Sequence, residues 1–94
     1  MKIDIITFRY NSPNASDSRP KVMVIKEDDN YIEGFNLNYV GKQEIDLEYF
    51  IQHTSEEDLG NEFVSSYGWG HAYRKYSKDY VSHQKTILSI TNAR

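Results

Sequence analysis

The 94-residue sequence predicts an α+β fold in a single domain, residues 1–94: a small, strongly bent antiparallel sheet of about five strands with two inserted helices. Three observations carry this expectation. Segments rich in β-branched and aromatic residues alternate with clusters of Asn, Ser, Asp, Gly and Pro. Between the third and fourth such segments the apolar spacing changes from the period of a strand to that of a helix. A glycine, Gly34, interrupts the third segment, where a bulge or bend curls a sheet.

Ile3 to Tyr10 is the first strand, apolar on parts of both faces. NSPNASDSRP follows, a loop of turn-forming residues long enough to be mobile and ending at Pro20. Lys21–Glu27 and Tyr31–Leu37 form a hairpin around Asp28-Asp29-Asn30. The helices are expected near 42–52 and 56–66. Ile45, Tyr49 and Phe50 share a face in the first, and Leu59, Phe63, Val64 and Tyr67 form the stripe of the second. Thr54 and Ser55 offer caps and Gly68 a stop. His71–Lys78 and Thr86–Ile90 complete the sheet, with a turn at 79–82. Such a sheet closes most economically as an SH3- or Sm-like barrel, with an open α+β sandwich as the alternative.

Composition bounds the function. With no cysteine there is no thiolate nucleophile and no cysteine-based zinc site. His53, His71 and His83 stand at no metal-ligand spacing, and no serine lies in a nucleophile elbow. No catalytic residue, metal or cofactor is therefore expected. No apolar run approaches a membrane span and the N-terminus lacks the form of a signal peptide, so a cytoplasmic protein is expected.

Charge is unevenly spread. The net charge is −3, but residues 1–26 carry five bases and two acids, residues 27–62 eleven acids and one base, and residues 63–94 five bases and one acid. The stretch Tyr67–Lys85 interleaves aromatic rings with cations, a pattern that stacks on bases while pairing with phosphates. Strand alternation places Arg74, Tyr76 and Lys78 on one side, read as the outer one, and Tyr73 on the core side. The expected function is a non-enzymatic binding domain for single-stranded nucleic acid. Trp69 and Tyr76 would stack, and Arg74, Lys78, Arg9 and Lys85 would contact phosphates, with Arg19 and Lys21 joining if the first strand lies near the fourth. A solvated sheet edge guarded by lysines explains the same residues without any ligand. The alternative function is an inhibitor of a host or defence complex, docking a bacterial host protein in the manner of a DNA mimic through Glu44, Glu48, Glu56, Glu57, Asp58 and Glu62. Helix capping and solubility account for those acids equally well. The edge strands of so small a sheet leave a homodimer open.

The two ends of the chain resemble the WYL-like domains. The likeness falls on Ile6, Phe8 and Tyr10, on Tyr31 to Phe35, and on Tyr73, Arg74, Tyr76, Asp79 and Val81; the tripeptide that names the family is absent, and residues 40–66 have no counterpart. The segments GFNLNYV and AYRKY also look like small uncharacterised proteins of large tailed phages. The first resemblance implies an Sm-like, SH3-type barrel that binds nucleic acid or nucleotides through basic residues on its barrel face; of the family's site, Arg74 and Tyr76 carry over, and Arg9 with them. The second implies a phage accessory protein working in the host cytoplasm.

Overall fold

In the computed structural model, which describes residues 2–40, 58, 64–65 and 68–91, the described residues form a five-stranded antiparallel sheet. Its strands are β1 (Lys2–Tyr10), β2 (Lys21–Glu27), β3 (Tyr31–Asn36), β4 (Tyr73–Ser77) and β5 (Val81–Thr91), in the spatial order β4-β3-β2-β1-β5. Three short 3₁₀ turns, Leu37–Tyr39, Trp69–Ala72 and Lys78–Tyr80, supply the other regular structure. The α+β expectation is thereby corrected: the described residues are mostly β, with 3₁₀ turns, and only Val64 and Ser65 among them are α-helical. The expected helices near 42–52 and 56–66 lie outside the described residues, apart from Asp58, Val64 and Ser65.

The topology forces the sheet to curl. β4 and β5 are its two edges, yet only Lys78–Tyr80 separates them in sequence. Across a flat five-stranded sheet the edges would stand about 19 Å apart. Three residues of 3₁₀ helix rise only about 6 Å, so the edges must approach at this corner. Bonds from the end of β1 hold them there: Ser77 N–H donates to the Tyr10 hydroxyl at 3.2 Å and Asn11 N–H to the Tyr80 carbonyl at 3.0 Å.

Bulges supply the bending. Ile25 is the extra residue between β2 and β3, where Val24 pairs with Gly34 and Lys26 with Glu33. Ile87 is the extra residue opposite the Ile5–Ile6 step, and His83 with Gln84 opposes Phe8 alone. Gly34 thus marks a bulge, but the extra residue lies on the partner strand. Gly34 has a second constraint, since a Cβ there would overlap the Met23 carbonyl.

The two faces carry separate cores. Ile3, Ile5, Met23, Phe35 and Ile90 lie on one, covered by Val40, Trp69 and Ala72. Ile6, Phe8, Val22, Ile32 and Tyr76 fill the other. The loop 11–20, expected to be mobile, is instead anchored. Asp17 accepts from the Asn36 and Asn38 side-chain amides, both at 2.9 Å, and from Arg19 N–H at 3.0 Å, while Tyr10 N–H donates to the Ser18 carbonyl. The hairpin turn forms as expected, with Asp28 accepting from the N–H groups of Asn30 and Tyr31 at 2.8 Å. Those two bonds, from Asn30 and then Tyr31, hold its carboxyl below the ordinary carboxylate range.

Candidate nucleic-acid interface

The strand alternation holds on β4, but both of its faces meet a core. Tyr76 pairs with Ile32 and meets Phe8 and Tyr10 edge to face, with ring centroids 5.3 and 5.0 Å away. It is 5% exposed, and Trp69, against Phe35, is 1% exposed. Tyr73, expected on the core side, is 36% exposed. The expectation is therefore corrected for Tyr76, which lies inside, whereas Tyr73 keeps the Phe35 face, pairing with Phe35 with ring centroids 5.2 Å apart, and is only partly covered. The reason is topological: β4 has one neighbour, β3, and the sheet curls its Tyr76 face inward onto β1. Rings as buried as Trp69 and Tyr76 offer no face to a base in this fold.

The cations of β4 and of the turn after it are already engaged. Arg74 donates to the carbonyls of His71 and Tyr73 at 2.6 and 2.9 Å and lies over the Tyr39 ring. Lys75 sits 4.2 Å above the Tyr31 ring. Lys78 pairs with Glu27 at 2.7 Å, half-exposed. A hollow of about 190 Å³ beside Arg74 is floored by Tyr10 and Tyr76, but Asp17 shares its wall. Glu44, Glu48, Glu56, Glu57 and Glu62 lie outside the described residues; Asp58 is exposed.

A second group of cations gathers elsewhere, because β1 lies between β2 and β5 and not beside β4. Thr7 pairs with Lys21 on one side and Lys85 on the other. Direct antiparallel partners project from the same face, so the three side chains form one row. Arg9, two residues beyond Thr7 on β1, continues that face, opposite Ser82. Arg19 is delivered by the anchored loop: Asn38 donates to its carbonyl at 3.2 Å, and Thr7 donates its hydroxyl to the Pro20 carbonyl at 3.0 Å. Arg9, Arg19, His83, Thr7 and Phe8 line an open cleft of about 300 Å³. Among the described residues, no carboxylate pairs with Arg9, Arg19, Lys21 or Lys85.

Like charges assembled without counter-charges repel one another and create a local positive potential, which attracts anions. Arg9 and Lys85 were legible in the sequence, and Arg19 and Lys21 were conditional on a strand neighbour that proves to be a different one. His83 was passed over, since neither its spacing nor its neighbours marked it. Among the described residues no group of three or more His, Asp or Glu side chains is arranged to hold a metal ion, and no helix is long and apolar enough to cross a membrane. No family model matches the chain, and no curated protein or solved structure is significantly similar to it.

Proposed function

We propose that the protein is a non-enzymatic domain with an SH3-like barrel fold that binds single-stranded nucleic acid through Arg9, Arg19, Lys21 and Lys85. The observation that carries the reading is the unpaired basic face itself: four cations from β1, β2, β5 and the 11–20 loop share one side, with no carboxylate partner among the described residues. The barrel is supported by the curl of the sheet at Lys78–Tyr80, and the resemblance of the chain ends to WYL-like domains points the same way.

Fluorescence anisotropy of a labelled oligonucleotide, measured over a range of salt, tests this. Four phosphate contacts on a single strand give a slope of log affinity against log salt of about −2.8. The double variant Arg9→Ala with Arg19→Ala should reduce that slope by about 1.4. The pair Arg74→Ala with Lys78→Ala should leave it unchanged, because both side chains already have protein partners. Absence of binding at low salt, or loss of binding in the second pair and not the first, would refute the proposal.

A further inference from the structure

His83 has the only positive φ among the described non-glycine residues, +54°. Its position in the sheet explains how. Thr7 pairs with Lys85 and Arg9 with Ser82, so His83 and Gln84 together oppose Phe8. This is a bulge whose first residue is left-handed, the geometry that glycine adopts without steric cost. The sequence nevertheless places an imidazole there, and that residue lines the same cleft as Arg9 and Arg19. Backbone strain of this kind collects at ligand-binding sites, where the side chain's position compensates for it.

We infer that His83 is a ligand-contacting residue, and that Arg9, Arg19 and His83 form a subsite for one phosphate group within the basic face. The inference rests on the reading of that face as nucleic-acid-binding and names the group it grips. Two guanidinium groups supply charge and forked donors. The imidazole supplies an N–H donor in every protonation state. The bulge turns β5 at His83, which brings the residue to the cleft wall beside β1.

The variants are His83→Gly, which accepts the left-handed backbone freely, and His83→Asn, which also tolerates it and keeps a short side chain. The probes are a labelled oligonucleotide, with and without a 5′-phosphate, and inorganic phosphate followed by its ³¹P resonance. His83→Gly should melt at or above the wild-type temperature yet bind the oligonucleotide about tenfold more weakly, the size expected for losing a hydrogen bond to a charged group. Inorganic phosphate should compete with the oligonucleotide on wild type beyond the effect of chloride at equal ionic strength, and should not do so on His83→Gly. His83→Asn should fall between the two. A preference for the 5′-phosphorylated strand identifies a terminal phosphate as the group held, and equal binding identifies a backbone phosphate; either supports the subsite. A His83→Gly protein with raised stability, unchanged affinity and unchanged phosphate competition overturns the inference, while loss of binding in the Arg9/Arg19 variant would still uphold the wider reading. If no oligonucleotide binds, that wider reading fails, and the ³¹P shift with wild type but not with His83→Gly decides the subsite alone.

Discussion

Asn36→Ala should be among the most damaging single substitutions in the described part of the chain. Asn36 is fully buried. Its Nδ2 donates to Asp17 Oδ2 at 2.9 Å and to the Tyr76 hydroxyl at 3.1 Å, and its Oδ1 accepts from Asn38 N–H at 3.0 Å. Removing the amide deletes one charge-assisted and two neutral hydrogen bonds and leaves the Tyr76 hydroxyl facing a void. Neutral bonds contribute about 1 kcal/mol each and a charged one somewhat more, here discounted because Asp17 is half-exposed and can recruit water. The expected loss is about 3 kcal/mol, which for a domain of this size lowers Tm by roughly 12–24 °C. Urea and thermal unfolding followed by circular dichroism measure it.

The pH dependence supplies an internal control. Partial burial pushes the Asp17 carboxyl up, but hydrogen bonds from Asn38, Asn36 and the Arg19 N–H outweigh it and hold the pKa below 3.8. A carboxyl depressed on folding contributes stability above its unfolded pKa and loses it as pH falls through the folded value. The gap between wild type and Asn36→Ala should therefore be full at neutral pH and shrink below pH 3.8. A loss under about 1 kcal/mol at neutral pH, against a usual value near 1 for even one neutral bond, would refute the view that this amide ties the loop to the sheet.

Three other outcomes follow from the packing. Gly34→Ala forces a Cβ into the Met23 carbonyl and to 2.9 Å from Val22 Cγ1, so urea unfolding should show a loss of about 3 kcal/mol or more; a loss below about 1 would mean that β2 and β3 part easily. Burial, only partly offset by the Asn36 hydrogen bond, pushes the Tyr76 hydroxyl up to about 12. The contribution of that group to stability is complete below pH 10 and lost as pH rises towards 12, and phenolate absorbance should show the step missing from Tyr76→Phe near 12 and not near 10. Trp69, 1% exposed, should emit at short wavelength, resist iodide quenching and stay unchanged on titration with an oligonucleotide that anisotropy shows to be bound; a large intensity change would mean that Trp69 leaves its core when the ligand binds, against the buried position that takes it out of the interface.

The strands were readable because each signal was local. Val22, Met23, Val24 and Ile25 between charged ends make β2, and the Asp28 side chain closes its own turn within three residues. Arg9 and Lys85 were readable as cations on strands. The division of sides on β4 was not, because alternation gives two faces without saying which one is covered. Tyr76 and Tyr73 have similar side chains; contact with Phe8 and Tyr10, more than sixty residues earlier, buries the first. Nor does the sequence betray the left-handed backbone of His83, which depends on the register of β5 against β1.

By itself, then, the amino-acid sequence determined the first three strands, the hairpin and the cationic character of both ends, since these follow from side-chain shape, turn chemistry and charge within a few residues. β4 is shorter than expected, at Tyr73–Ser77, and β5 is longer, running over Val81–Thr91 where a turn at 79–82 and a strand at Thr86–Ile90 were expected. Only the tertiary structure decided which cations gather on one face. The order β4-β3-β2-β1-β5 separates Arg74 and Lys78, each bonded to nearby protein groups, from Arg9, Arg19, Lys21 and Lys85, which meet on one face without a carboxylate partner among the described residues. Strand neighbours are set by long-range pairing, and so is the side of the sheet that stays in water.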